Sequence, residues 1–132
     1  MSETIRLGEL RGRIIVPLDM RNDNSSSTHW RAGYAKSKQA QRAFDNGTVT
    51  VEPYHDRDQP VNLVVTRVLG KGQRRWDADS ILRGRQAKAL VDCLTKDGWI
   101  NDDGPRWVAL ALGNQIDNTR DKGPAVIISV YQ

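Results

Sequence analysis

Acidic residues set within a basic segment are the part of this sequence that could do chemistry. Asp77 and Asp79 are separated by one alanine and follow a basic stretch, Lys71-Gly-Gln-Arg-Arg75, and a second acidic pair, Asp102-Asp103, comes later in the chain. Mg²⁺ takes carboxylate oxygens as ligands and completes its shell with phosphate oxygens of a substrate. The neighbouring Arg and Lys side chains attract a polyanion that an acidic site alone would repel. This combination indicates metal-assisted phosphodiester chemistry.

Each of these features also has a simpler interpretation. Asp-x-Asp occurs by chance in many loops, and Asp102-Asp103 precedes Gly-Pro, a sequence typical of a turn. The arginines could form a solvated surface with no partner. Trp76, which stands directly before Asp77, could pack in the core or stack on an unpaired base. These alternatives stay open on the residues alone.

Length and composition restrict the class of protein. A chain of 132 residues with 38% hydrophobic and 27% charged residues fits one folded domain spanning residues 1–132. The net charge of +4 is only mildly basic, so an argument for a polyanionic partner rests on local clusters. The single cysteine, Cys93, indicates a reducing compartment. Because no segment has the apolar length of a signal peptide or a membrane span, we expect a cytoplasmic protein without a membrane partner.

The hydrophobic pattern predicts strands and helices that alternate along the chain. Ala87, Leu90, Val91 and Leu94 recur at helical spacing, so one side of the second helix should face a core. We therefore expect an α/β (α+β) fold, a small single-layer mixed β-sheet with two main helices packed on it. The predicted strands cover residues 13–17, 49–51, 61–69, 107–112 and 125–131, and the predicted helices cover residues 30–44 and 80–96.

The predicted elements place the two acidic segments at the ends of secondary structure. Asp77 and Asp79 would lie between the longest strand and the second helix, and Asp102-Asp103 would lie where the chain returns to the sheet. Ligands commonly bind at such ends. If the helix runs antiparallel to the strands beside it, however, the two acidic segments need not meet.

The run Arg74-Arg-Trp-Asp-Ala-Asp-Ser80, followed by Lys88-Ala-Leu-Val-Asp-Cys-Leu-Thr-Lys-Asp-Gly-Trp-Ile-Asn-Asp-Asp103, resembles the RusA family of Holliday-junction resolvases of bacteria and their prophages. The family pattern is a basic stretch, Asp-x-Asp-Asn, a helix with Lys and Asp-x-Leu, a Gly, and then Asp-Asp. The likeness covers roughly residues 61–112.

The resemblance implies a crossover junction endodeoxyribonuclease of DNA recombination and repair. Such an enzyme would be a Mg²⁺-dependent homodimer that binds four-way junction DNA and needs no organic cofactor. By position in the motif, Asp77, Asp79 and Asp103 would be the metal ligands and, with Lys88, the catalytic residues. The expected DNA-binding residues are Lys71, Arg74, Arg75, Arg83 and Arg85.

Some positions depart from the family pattern or fit it in two ways. Ser80 stands where the family has Asn, and Trp76 stands where a basic residue is common. Counting back from Asp92 assigns the family lysine to Lys88, whereas counting forward from Asp79 assigns it to Arg83; Lys88 is favoured because the residue type matches. The alternative to an active nuclease is a catalytically inactive DNA-binding accessory protein of the same fold.

Overall fold

The computed structural model describes residues 6–20, 30–77 and 80–132, without the side chains of residues 30–33. Asp79, one of the predicted metal ligands, therefore lies outside the described residues. The statements below concern the described part of the chain.

One five-stranded mixed sheet carries two helices, which confirms the predicted fold class. Strands and helices follow the predicted order along the chain, from one N-terminal strand to one C-terminal strand. The strands are β1 (Leu10–Val16), β2 (Thr48–Val51), β3 (Val61–Val68), β4 (Val108–Ile116) and β5 (Ala125–Tyr131), and the helices are α1 (Trp30–Asp45) and α2 (Arg85–Lys96).

The strand order in the sheet is β2-β1-β5-β3-β4. β3 and β4 are parallel, whereas the other neighbouring strands pair antiparallel. Parallel strands need a crossover, and α2 is the helix in the connection from β3 to β4. The crossover therefore has two connections: the β3–α2 connection (residues 69–84) leaves the carboxyl end of β3, and the α2–β4 connection (residues 97–107) enters the amino end of β4.

The hydrophobic core lies between the helices and one face of the sheet. Alternate residues of the three central strands, such as Ile14, Val65 and Ile128, are buried in one cluster with Phe44 of α1 and Leu90 of α2. This period of two follows from the pleat of a strand, which sends successive side chains to opposite faces.

A glycine lies two residues after the end of each helix, and the two glycines have different roles. Gly98 follows α2 with φ of +78°, a conformation that favours glycine. Gly47 follows α1 at a close approach, because a Cβ there would lie 2.6 Å from Cδ1 of Ile14.

Three predicted boundaries were wrong by three residues or more. β1 begins at Leu10 and not at residue 13. α2 begins at Arg85 and not at Ser80. Its N-cap residue is Gly84 and not Ser80, so the helix has no side-chain cap. β4 continues to Ile116 instead of ending at Leu112. Its continuation is paired throughout with β3, as far as Ile116 opposite Val68.

Candidate active site

The β3–α2 connection is held against the carboxyl end of β4 by the side chain of Gln115. The Trp76 N–H donates to Oε1 of Gln115 at 2.8 Å, and Nε2 of Gln115 donates to the Trp76 carbonyl at 2.9 Å. Gln115 is only 9% exposed. A single amide thus satisfies both backbone groups of Trp76 and fixes the chain one residue before Asp77.

The side chain of Arg67, in β3, also holds this part of the β3–α2 connection. It lies opposite Gln115 in the parallel ladder, and its Nη1 donates to the Arg74 carbonyl at 2.9 Å and to Oε1 of Gln115 at 3.2 Å. Its guanidinium also lies 4.0 Å from the centroid of the Trp76 ring, a cation–π distance. Burial lowers the pKa of the Arg67 guanidinium, and the Asp19 carboxylate opposes that change.

Trp76 is therefore engaged within the protein. Its ring is half-buried against the hydrophobic core as well as against Arg67. This position agrees with the packing interpretation of Trp76 rather than with an exposed platform for an unpaired base.

A second clamp holds the start of the connection. Nη1 of Arg120 donates to the carbonyls of Gly70 and Gln73, at 2.9 and 2.6 Å. The Gln73 side chain in turn accepts from the Gly70 N–H and donates to Asp19. The basic stretch is thus a turn tied to its surroundings at several points, and only its side chains extend to solvent.

After Asp77 the chain crosses from the sheet edge to the start of α2. The Asp77 carbonyl accepts from the Ser80 N–H at 3.0 Å, and Ile81 is buried against β4. A Cβ on Gly113 would lie 2.7 Å from Cβ of Ile81, so the glycine provides the room in which Ile81 packs. This contact positions the chain that continues to Arg83 and α2.

An open cleft of about 420 Å³ lies beside the first half of α2. Lys88 and Asp103 line it together, although fifteen residues separate them in the sequence. Arg83 and Arg85 also line it. The remaining lining residues are Leu82, Gly84, Ala87 and Val91.

The side chain of Arg57 holds the α2–β4 connection, which brings Asp103 to the cleft. Nη2 of Arg57 donates to the Gly98 carbonyl at 2.6 Å and Nη1 donates to Oδ1 of Asn101 at 3.1 Å. Asn101 returns a bond to the Arg57 carbonyl at 2.7 Å. Beyond this clamp, the Asp103 N–H donates to Oδ1 of Asp102 at 2.9 Å, and both aspartates are exposed.

The structure brings together some of the predicted catalytic residues. Asp103 and Lys88 share the cleft, but Asp77 is not among the described residues that line it. Trp76 is bonded to Gln115 near the carboxyl end of β4, whereas Gly104 is bonded to Val108 at the amino end. At about 3.3 Å per residue, Val108 and Gln115 are roughly 23 Å apart along the strand. Asp77 and Asp103 thus start from opposite ends of β4.

The predicted DNA-binding residues fall into two groups, all of them exposed. Arg83 and Arg85 line the cleft with Lys88, which leaves both Lys88 and Arg83 as candidates for the family lysine. The other group lies on the clamped turn: Lys71, Arg74 and Arg75. Within it, Nη1 of Arg75 lies 3.4 Å from the Asp117 carboxylate.

The donor chemistry fits Mg²⁺, which takes carboxylate oxygens. Asp103 offers an exposed carboxylate in the cleft, and it makes no ion pair with any residue in the described ranges. Among residues 6–20, 30–77 and 80–132, no three His, Cys, Asp or Glu side chains are grouped so that they could hold a metal ion. Asp79 is not part of that comparison.

Sequence reasoning missed the anchoring residues Arg67, Gln115 and Arg120. A signal for Arg67 is present in the sequence, because it is a charged residue within a largely apolar strand, whereas Gln115 follows Gly113-Asn114 beyond the predicted end of β4. Their partnership could not be read without the register that places β3 beside β4.

Two other titratable groups lie away from the cleft. Burial raises the pKa of the Cys93 thiol, and the Asp45 carboxylate adds to the increase. Burial also lowers the pKa of His55, and the nearby Arg57 charge acts in the same direction. A raised thiol pKa disfavours the thiolate that nucleophilic chemistry requires.

None of the helices in the described ranges has both the length and the apolar character to cross a membrane. No protein-family model, no curated protein and no solved structure matches this sequence or its fold.

Proposed function

We propose that this chain is a Mg²⁺-dependent endonuclease that cuts four-way DNA junctions as a homodimer, in bacterial or prophage recombination and repair. One observation carries the proposal: Lys88 and Asp103, which the RusA-like motif pairs in one site, line the same cleft. Two arginines of the predicted DNA-binding set line it with them. The motif and the cleft are independent indications of the same residues.

The charges of the cleft suit a phosphodiester. Lys88 lines the cleft together with Arg83 and Arg85, and cationic side chains attract the DNA backbone. Arg83 and Arg85 would hold phosphates next to the scissile bond. The Lys88 ammonium would donate to a non-bridging oxygen of the scissile phosphate, where negative charge increases as the bond breaks.

The carboxylates have a separate role. Asp103 would be a ligand of the metal ion in the cleft. Asp77 and Asp79 are the other ligands that the motif predicts, although the anchors of Asp77 and Asp103 lie at opposite ends of β4. A bound Mg²⁺ supplies a Lewis acid for the phosphate and lowers the pKa of a coordinated water. Asp103 lines the same cleft as Lys88, so a metal ion on its carboxylate would set the position of the scissile phosphate relative to the ammonium group.

A labelled four-way junction tests the proposal directly. We expect the parental protein to cut it in Mg²⁺, and we expect Asp103→Asn to reduce the cutting rate by about a hundredfold or more, since a metal ligand and its charge are lost. Binding in EDTA should remain within about threefold of parental, because a carboxylate is not a phosphate contact. Asp121→Asn, an exposed acid outside the cleft, is the matched control and should cut normally.

Lysine and arginine variants separate the two candidates for the family lysine. Lys88→Gln should reduce the cutting rate at saturating protein by about 10²- to 10³-fold, as expected when one transition-state donor is lost, while Arg83→Gln should mainly weaken binding. The reverse pattern would assign the catalytic role to Arg83. A parental protein that does not cut in Mg²⁺ or Mn²⁺, or an Asp103→Asn variant that cuts at the parental rate, would overturn the nuclease assignment.

A second candidate function is a junction-binding accessory protein without nuclease activity. It is favoured by the separate anchors of Asp77 and Asp103 at the two ends of β4. The same experiment distinguishes the two functions, because this protein would bind the junction and leave it intact. Sedimentation equilibrium tests the homodimer, with twice the chain mass of 14.8 kDa expected.

A further inference from the structure

The outward face of α1 is a charged surface separate from the cleft. Tyr34, Lys38 and Arg42 recur every four residues along it, and Gln41 and Asp45 line the same shallow depression. The opposite face of the helix packs into the core through Ala40, Ala43 and Phe44. We call Tyr34, Lys38 and Arg42 the α1 stripe.

The chemistry of the α1 stripe fits a polyanion. Nζ of Lys38 lies 5.4 Å from the centroid of the Tyr34 ring, and the ring is 59% exposed. Lys38 and Arg42 form no ion pair with a residue that the structure describes. Two cations about 6 Å apart along the helix axis, beside an exposed aromatic ring, can contact successive phosphates of one strand.

The position of α1 relative to the cleft follows from its contacts with α2. Nε2 of Gln86 donates to the Lys36 carbonyl at 3.3 Å, and Gln41 and Cys93 line a common pocket further along the two helices. The helices therefore lie side by side. The α2 residues that line the cleft, such as Lys88 and Val91, lie on the side of α2 that faces away from α1. The axis of α1 is about one helix-packing distance, 8–10 Å, from the axis of α2, and the α1 stripe lies on the outward face of α1.

We propose that the α1 stripe is a second DNA contact surface, which binds the backbone of a duplex arm while the scissile strand occupies the cleft. The inference rests on the proposed function, because it assumes that the cleft on one side of α2 binds the scissile strand of a DNA junction. Arg85, on the exposed surface of α2, lies between the two sites. Asp45 is the last residue of α1, and its negative charge limits the surface that would attract DNA.

Charge variants of the α1 stripe test the proposal. The double variant Lys38→Gln/Arg42→Gln should bind a four-way junction at least about tenfold more weakly at moderate salt, and the slope of log affinity against log salt should become shallower by about 1.8, since two phosphate contacts are lost. The cutting rate at saturating protein should stay within twofold of parental. Asp45→Asn should bind more tightly than parental, because it removes an acid that lines the same depression as the stripe.

The matched control removes the same charge elsewhere. Arg6→Gln/Lys122→Gln changes two exposed cations outside both surfaces and should retain most of the affinity and the salt slope. An equal loss in this control, or an α1 double variant that binds within twofold of parental, would overturn the inference. If the parental protein and the α1 variants bind and cut the junction equally well, only the α1 surface is refuted. If the parental protein has no affinity for the junction, the proposed function is refuted as well.

Discussion

Two arginines each clamp one of the connections on either side of α2, but they do so in different surroundings. Arg67 holds the β3–α2 connection and is 4% exposed, whereas Arg57 holds the α2–β4 connection from an exposed position. A hydrogen bond in the interior is costly to break because its partners remain desolvated, while water replaces an exposed one. We infer that the chain before Asp77 is fixed rigidly and that the chain carrying Asp103 is held more weakly.

The largest effect should come from the buried clamp. Arg67→Ala removes the cation over Trp76, leaves the Arg74 carbonyl without its donor and removes one of the two donors to Oε1 of Gln115, so we expect a loss of about 3 kcal/mol in the free energy of unfolding. Urea denaturation measures it. Arg74→Ala, which removes only an exposed side chain and keeps the carbonyl, is the control and should change stability by less than about 0.5 kcal/mol. An Arg67→Ala loss below that of a surface variant would contradict a rigid anchor.

A smaller loss should follow when the contact between the β3–α2 connection and β4 is crowded. In Gly113→Ala the new methyl group would overlap Ile81, and overpacking of this kind costs about 1–3 kcal/mol. Combining it with Ile81→Ala, which removes both γ-carbons near the new methyl group and lets the chain shift at residue 81, should cost less than the sum of the two single losses. Gly104→Ala is the control, because its nearest neighbour would be at an ordinary 3.7 Å. Additive losses in the double variant would show that the two residues do not compete for space.

The exposed clamp should contribute less. Arg57→Ala breaks the bonds to Gly98 and Asn101 in contact with water, and we expect a loss of about 1 kcal/mol or less. Thermal denaturation of Arg57→Ala, Asn101→Ala and the double variant isolates the coupling between the two side chains. A loss as large as that of Arg67→Ala would remove the distinction between the two connections.

The smallest effect is expected at the surface ion pair of the clamped turn. Arg75 and Asp117 are each about half exposed, and such pairs contribute about 0–1 kcal/mol. Asp117→Asn should therefore leave the unfolding midpoint in urea nearly unchanged. It should also strengthen junction binding slightly, since Arg75 loses a competing carboxylate. A marked destabilisation would mean that this pair, and not Arg67, holds the turn.

The elements that the sequence predicted best are those with a strong local pattern. β5 is found at the predicted residues, Ala125–Tyr131, because its apolar run is continuous. β4 was predicted too short because Gly113 and Asn114 are turn-forming residues, and only the packing of Ile81 and the pairing with β3 explain their place in a strand.

The candidate site was predictable in part. Motif and helical periodicity placed Lys88 on an exposed face of α2, and the structure puts Asp103 in the same cleft. The anchors at Arg67 and Gln115 depend on contacts between residues 48 positions apart. No local pattern encodes such a contact, so the relation of Asp77 to Asp103 could not be derived from spacing.

The place of β5 in the sheet has a consequence for how this protein is made. β5 is the last strand in the sequence, yet it lies between β1 and β3 and pairs with both. During synthesis the first four strands emerge from the ribosome without the strand that joins β1 to β3. The sheet can close only after residues 125–131 have been translated, so we expect the closing step to wait for them and to be slow, as is typical of chains with many contacts between distant residues.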